Sequence, residues 1–313
     1  MPQSTREIKR RLRSIKNTRQ VTRAMEMVSA AKMRKSVQAV VASRAYANQA
    51  WALVSELSLR VDQRHHPLLA KRDKVKNVGL LVVSSNRGLC GGFNYQLAQK
   101  VEKYYQSLGE NVSVKLISFG FKARDILLRQ GKVLAADFNK PDLLNDETII
   151  KPIAKLLMEE YLTGNYDKVV LAYTDFISAL SQKPKIKQLL PIERQLVRES
   201  DSQEVRKFDQ SKMSHDSLTS SLSDLSYEYK FEPTPATVLN ELLPRLLGLQ
   251  IYQATLESTA SEHSARMLAM RNASDAARDM LDDLTLTFNQ ARQANITSEL
   301  AEIIGGRTAI EAV

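Results

Sequence analysis

The chain has 313 residues, of which 43% are hydrophobic and 26% are charged, so its apolar content is sufficient for a packed core. Its formal net charge of +10 predicts acidic partners. Because Cys90 is the only cysteine, an intrachain disulfide is excluded and a structural zinc site is not supported. No stretch of sequence has the pattern of a membrane span, and no apolar signal-peptide core precedes the first predicted helix.

The first predicted element is a long helix. Neither glycine nor proline, the residues that most often end or kink helices, occurs from Gln3 to His66. Apolar and small residues recur there at helical spacing, which predicts one packing stripe along the helix. The apolar positions are Ile8, Leu12, Ile15, Val21, Met25 and Val28, and Ala24, Ala30 and Ala31 add a small-residue face.

The positive charge is concentrated in the same helix. From Arg6 to Lys35, eleven basic residues stand against Glu7 and Glu26, a net charge of +9 out of +10 for the whole chain. This uneven field predicts a partner that carries phosphate groups or clustered carboxylates. A solvated helix face is the alternative that the charge leaves open. The basic residues are Arg6, Lys9, Arg10, Arg11, Arg13, Lys16, Arg19, Arg23, Lys32, Arg34 and Lys35.

An α/β domain is predicted in the middle of the chain. Residues 78–84 form a continuously apolar run that is typical of a buried parallel strand. Further strands are predicted at 112–119, 133–138, 168–174 and 186–192, the last at a sheet edge, and helices at 94–108, 121–129 and 147–162. This alternation predicts an open, mostly parallel sheet with flanking helices.

A glycine-rich loop at 86–94 follows the first predicted strand. Such a loop can present backbone N–H groups to a phosphate, but its G-x-x-G-G spacing matches neither the dinucleotide fingerprint nor the P-loop. A structural tight turn is therefore favoured over nucleotide binding. Cys90 has no histidine near it in the sequence, so the pattern does not favour a nucleophile. We expect no catalytic, cofactor-binding or metal site.

The last third of the chain contains a predicted linker and a second long helix. Polar residues without periodicity at 194–230 predict the linker, which ends in three aromatic residues. The helix is predicted to start near Pro235, and neither glycine nor proline occurs from Gln250 to Ile304. Its seam has the spacing of a coiled coil and is rich in small side chains that allow close approach, so we expect the first helix as its partner. The seam positions are Ala260, His263, Met267, Met270, Ser274, Ala277, Leu281, Leu284, Phe288 and Ala291.

Three separated motifs resemble the gamma subunit of F-type ATP synthases of the bacterial type. The first two are Arg6–Lys35 and Ser85–Asn94, the latter with Asn86 where the family is expected to have Asp. The third is a C-terminal signature that occurs in the family's order and spacing. It comprises Phe231–Pro235, Leu243–Arg245, Ser261–Met267, Ala291–Leu300 and Gly305–Gly306.

The resemblance implies a rotor shaft. In this family the terminal helices form an antiparallel coiled coil inside a hexamer of alpha and beta subunits, and the α/β domain sits on the membrane-embedded c-ring. Rotation driven by proton flow would present successive faces of the shaft to each catalytic beta subunit. The chain itself would be non-catalytic and would lie peripherally on the cytoplasmic face of a bacterial inner membrane. We expect a coiled-coil helix at 1–66, an α/β domain at 75–193, a linker or foot at 194–232 and a second coiled-coil helix at 233–313.

The resemblance also implies residue roles. The ring and epsilon-subunit contacts would be Glu228, Tyr229 and Glu232. The beta-subunit contacts would be Arg19, Arg23, Met25, Lys32, Arg34, Lys35, Arg292, Gln293, Thr297 and Glu299.

Two other classes stay open from the residues alone. A nucleic-acid-binding protein would explain the basic helix but not the small-residue seam of the other arm. A small-molecule enzyme that uses the glycine-rich loop would explain neither long arm.

Overall fold

The computed structural model describes residues 5–60, 67–70, 72, 74–109, 112–144, 146–192 and 234–311. Two long helices dominate it: α1, Thr5–Arg60, and α5, Pro235–Glu311, with 56 and 77 residues. They lie side by side and antiparallel over most of the length of α1, so the predicted coiled coil is confirmed. At about 1.5 Å per residue the helices are about 84 and 115 Å long.

The predicted seam of α5 is confirmed by burial. All ten seam residues, from Ala260 to Ala291, are buried or half-buried. Between Met270 and Ala291, Ala273 is the only other residue of α5 that is not exposed. Ser274 and Ala277 are among the buried seam residues. Their small side chains allow the close helix packing that the sequence predicted.

The predicted stripe of α1 is wrong at two positions. Val21 and Val28 are 59% and 56% exposed. The stripe of α1 that faces α5 instead recurs every seventh residue and includes serine and threonine. A search for apolar residues therefore assigns the wrong side of the helix to the contact at Val21 and Val28. Small size, which allows close approach, determines the contact here more than hydrophobicity does. The residues at this spacing are Ile8, Ile15, Thr22, Ser29 and Ser36, each buried or half-buried.

Helix α5 continues through residues that usually end a helix. Pro244 lies inside it, as do Gly305 and Gly306. Around the proline, Leu243 and Leu247 are buried in the main hydrophobic core. This packing offsets the backbone hydrogen bond that a proline removes.

The predicted five-stranded sheet is confirmed, with strand order β3-β2-β1-β4-β5. Strands β1 to β4 are mutually parallel, and β5 pairs antiparallel with β4 at one edge. The edge strand starts four residues earlier than predicted, and the helix expected at 147–162 is split into a 3₁₀ turn, Glu147–Ile149, and α4. The element bounds are β1 Asn77–Val83, α2 Phe93–Leu108, β2 Ser113–Phe119, α3 Phe121–Arg129, β3 Leu134–Phe138, α4 Lys151–Leu162, β4 Lys168–Phe176 and β5 Gln182–Leu190.

The two faces of the sheet pack against different helices. Helices α2 and α3 cover one face, where Leu97 and Val101 lie against Val78 and Leu80. Helix α4 and the first part of α5 cover the other face. Helix α5 therefore belongs to both the α/β domain and the coiled coil, which makes the sheet and the shaft one connected body. The division of the chain into four domains stays a prediction.

Candidate partner-binding surfaces and the joint beneath them

The described residues contain two exposed surfaces and one buried polar joint. The first surface is the basic face of α1. Arg19, Arg34 and Lys35, which the resemblance assigns to beta-subunit contacts, are exposed, and Met25 is half-buried.

Two other predicted contacts on α1 already have partners within the chain. Arg23 Nη1 lies 2.9 Å from Glu26 Oε2 one turn along the helix. A surface ion pair like this contributes about 0–1 kcal/mol to stability, so a carboxylate of a partner subunit can replace Glu26. Lys32 Nζ instead reaches the α/β domain, where it lies 2.8 Å from Asp142 Oδ2. Its place in the structure is therefore at the joint between shaft and domain.

The second surface is the C-terminal end of α5. Ser43 Oγ donates to Gln253 Oε1 at 2.6 Å, so in the antiparallel pair the start of α1 lies level with about residue 291 of α5. The predicted contacts Arg292, Gln293, Thr297 and Glu299 all lie beyond this point and are exposed.

The part of α5 that extends beyond the start of α1 carries an apolar stripe. Ile296, Leu300 and Ile303 are about half to two-thirds exposed, at spacings of four and three residues that place them on one side of the helix. A helix with an uncovered apolar stripe typically docks against another protein. From residue 292 to residue 303, α5 extends about 18 Å beyond the level of the start of α1.

The joint is a buried ion network between α5 and the α/β domain. Lys140, only 2% exposed, follows β3, and its Nζ lies 2.5 Å from Glu262 Oε2. Arg266 Nη2 lies 2.9 Å from the other oxygen, Glu262 Oε1. Burial alone would raise the pKa of Glu262, but the two cations lower it below its usual value. The carboxylate is therefore ionised and doubly paired inside the protein.

Asp142 lies two residues after Lys140, in the loop that follows β3, and connects that loop to both long helices. Its carboxylate pairs with Lys32 of α1, which is the main reason that its pKa is lowered. Its backbone carbonyl oxygen lies 2.8 Å from Nε2 of His263 on α5. Burial lowers the pKa of His263, so the imidazole is neutral and donates this hydrogen bond.

The glycine-rich loop is braced by its own side chains. Asn94 Nδ2 donates to Ser85 Oγ at 2.7 Å, and burial raises the pKa of the Cys90 thiol. Arg266 donates to the loop's carbonyl oxygens at Arg87 and Gly88, both at 3.3 Å. The described contacts of the loop are those of a tight structural turn that braces the joint.

The remaining predicted sites fall elsewhere. Glu228, Tyr229 and Glu232, predicted to contact the ring and epsilon subunit, lie outside the described residues. Across the described ranges, no group of three or more His, Cys, Asp or Glu side chains is arranged to hold a metal ion. In the same part of the chain, no helix combines the length and apolar character needed to cross a bilayer.

Comparison with known proteins identifies the family. A family model described as ATP synthase matches residues 4–310. The ATP synthase gamma chain of Heliobacterium modesticaldum is 43% identical over 305 residues, covering 97% of this chain and 98% of the relative. That of Chloroflexus aurantiacus is 42% identical, covering 98% and 99%. The chain belongs to the ATP synthase gamma chain family. Its function is accordingly that of a rotor subunit of ATP synthase.

Solved structures share the fold at lower identity. A chain in the Euglena gracilis mitochondrial ATP synthase complex of OSCP, F1 and c-ring has a TM-score of 0.64 at 23% identity, covering 99% of this chain and 95% of that chain. A chain of the Tetrahymena thermophila mitochondrial ATP synthase central stalk and c-ring has a TM-score of 0.57 at 23% identity, covering 81% and 99%. These neighbours show the fold.

Sequence reasoning missed the residues of the joint. Glu262 and Arg266 stand four residues apart, a spacing that could have suggested an ion pair on one helix. Lys140 and Asp142 carry no comparable local signal, because their partners are far away in the sequence.

Proposed function

We propose that this gamma-family chain is the central-stalk rotor that transmits rotation of the membrane c-ring to the alpha/beta hexamer, and so couples proton flow to ATP synthesis. It regulates ATPase activity and proton flow and has no catalytic site of its own. Its partners are the alpha and beta subunits, the epsilon subunit and the c-ring, with no nucleic acid and no direct small-molecule substrate. It lies peripherally on the cytoplasmic face of the bacterial inner membrane.

The observation that carries this proposal is the unequal charge of the two sides of the shaft. Ten of the eleven basic residues from Arg6 to Lys35 of α1 are exposed, and that stretch has a net charge of +9. The α5 segment from 267 to 304 has six acidic and three basic side chains, all exposed, a net charge of −3. An acidic segment of a surrounding subunit is therefore attracted by one side of the shaft and repelled by the other.

This asymmetry is what a rotor needs. A symmetric rod would present the same surface to three equivalent catalytic subunits at every angle and could not make them differ. A shaft with one basic side interacts differently with each, so its angle biases their conformations in turn. Arg19, Arg23, Arg34 and Lys35 are the exposed cations that would meet acidic beta-subunit segments.

The exposed tip of α5 supports the same role. Arg292 and Gln293 are exposed there and are the residues proposed to contact the beta subunits, and the neighbouring apolar stripe is exposed, as is typical of a surface that docks against another protein. Glu228, Tyr229 and Glu232 remain the residues proposed for the foot of the shaft.

Native mass spectrometry tests the proposal. A tagged copy of the chain is expressed in its own host, and the purified complex is weighed intact and after partial dissociation. We expect one copy of this chain with three alpha and three beta subunits, together with epsilon. A chain that is recovered alone, or mainly with nucleic acid at low salt, would contradict the rotor role.

A further inference from the structure

One short loop of the α/β domain contacts both helices of the shaft. The loop, residues 139–142, follows β3. Lys140 holds α5 through Glu262, whereas Asp142 holds α1 through Lys32. The side-chain amide of Asn86, in the glycine-rich loop, holds this loop in place by donating to Asn139 Oδ1 at 2.7 Å and to the carbonyl oxygen of Lys140.

Contact with two helices matters for torque. If the domain held only α5, the coiled coil could twist about that one attachment when its tip is loaded. Ion pairs to both helices act on either side of the coiled-coil axis and so oppose rotation of the shaft relative to the sheet. The apolar packing of the sheet side, by contrast, is mainly with α5 residues such as Leu243, Leu247 and Ile251.

The chemistry of the Lys140 contact makes it stiff. Lys140 and Glu262 are 2% and 4% exposed, so separating them leaves the Lys140 ammonium without its charged partner in a site that water does not reach. Charge-assisted hydrogen bonds are also shorter and stronger than neutral ones. The Asp142–Lys32 pair is partly exposed and therefore weaker, but it is the one that reaches α1.

We propose that Lys140 and Asp142 form a two-helix grip, a pair of positioning residues through which the α/β domain turns the coiled coil. This inference rests on the proposed rotor function. It also gives Lys32 a role within its own chain, in place of the beta-subunit contact that the resemblance implied.

The test uses the complete ATP synthase with Lys140→Met, Asp142→Asn and both changes together. Lys140→Arg keeps the charge. Glu102→Gln is the matched control, because it removes a carboxylate 3.1 Å from Lys132 within the α/β domain, away from the shaft.

Two quantities are measured in the assembled enzymes. The first is the ratio of ATP-driven proton pumping to ATP hydrolysis. The second is the angular variance of a probe on the α/β domain while the hexamer is held in one nucleotide state. Each single loss of charge should raise the variance, and Lys140→Met should raise it more than Asp142→Asn, because parallel supports add their stiffness and the buried ion pair is the stronger of the two. The double variant should have the greatest variance and a lower pumping ratio, while Lys140→Arg and Glu102→Gln stay near wild type.

A structural defect and a loss of torque transmission are distinguished by a measurement on the free chain. Spin labels at Leu180→Cys on the α/β domain and Val21→Cys on α1 replace exposed side chains, whereas the native Cys90 is buried. The double variant should keep the wild-type mean distance and broaden its distribution. Asp142→Asn alone alters a partly exposed pair, so it keeps the inference testable where Lys140→Met fails to fold.

The outcomes separate the grip from the rotor role. Unchanged angular variance, pumping ratio and label distribution in an assembled double variant would overturn the grip and leave the rotor role standing. A wild-type chain that does not assemble with alpha and beta subunits would overturn the rotor role. The width of the label distribution would then still decide whether the loop holds both helices.

Discussion

Replacing Ser29 by leucine should destabilise the shaft more than trimming Val28. Ser29 is 4% exposed in the seam between the helices, whereas Val28 beside it is 56% exposed. Leucine adds volume to a close-packed contact, and overpacking of this kind costs about 1–3 kcal/mol. Val28→Ala should change the free energy of unfolding by no more than about 0.5 kcal/mol, as is usual on a surface.

Urea unfolding of the purified chain, followed by far-UV circular dichroism, measures both effects. Intrinsic helix propensity cannot produce the expected loss of stability in Ser29→Leu, because it favours leucine over serine. Val21→Ala, at another exposed position, is the control. If Val28 faced α5, its truncation would cost about 1.5–3 kcal/mol through lost burial. A larger loss of stability for Val28→Ala than for Ser29→Leu would refute the assigned helix phase.

Three further predictions concern the tip and the joint. Arg292→Ala combined with Gln293→Ala should weaken coupling between hydrolysis and rotation while helix content stays intact; unchanged ATP-driven proton pumping would contradict this. Ile296→Ser with Leu300→Ser should weaken binding to the alpha/beta hexamer without changing the stability of the free chain, since both side chains are exposed; equal affinity in a pull-down titration would count against it. The free energy of unfolding should decrease as pH falls through the lowered folded pKa of Glu262, since the unfolded chain binds that proton at higher pH. In a series of urea midpoints measured against pH, Glu262→Gln should flatten the acidic part of the curve. An unaltered slope would exclude Glu262 as the source of this pH dependence.

The long helices and the sheet could be predicted because their signals are local and dense. Absence of glycine and proline marks both arms, and the run of residues 78–84 marks a buried strand whatever it pairs with. Order along the chain then restricts the topology, since a strand followed by a helix and another strand favours parallel pairing. Pro244 shows the limit of this approach, because packing on the sheet allows the helix to run through it.

The phase of α1 could not be predicted from hydrophobicity. Val21 and Val28 are apolar but exposed, and Ser29 and Ser36 are polar but buried. The exposed valines belong to a surface that the free chain leaves uncovered, and a sequence pattern does not distinguish contact with a partner from contact within the chain. The hydroxyl side chains are buried because the second helix comes close at these positions.

The joint could not be predicted because its charges pair over long distances in sequence. Lys140 and Glu262 are 122 residues apart, and Lys32 and Asp142 are 110 apart. Within the basic run of α1, Lys32 looks like its neighbours. Only the fold shows that its ammonium group points to the α/β domain.

Rotation of single molecules tests the rotor function most directly. The hexamer of alpha and beta subunits is fixed to a surface, a probe is attached to the α/β domain of this chain, and ATP is added. We expect rotation in one direction with three pauses per turn, one for each beta subunit. A hexamer that hydrolyses ATP while the probe only fluctuates about a fixed angle would show that this chain is not the shaft.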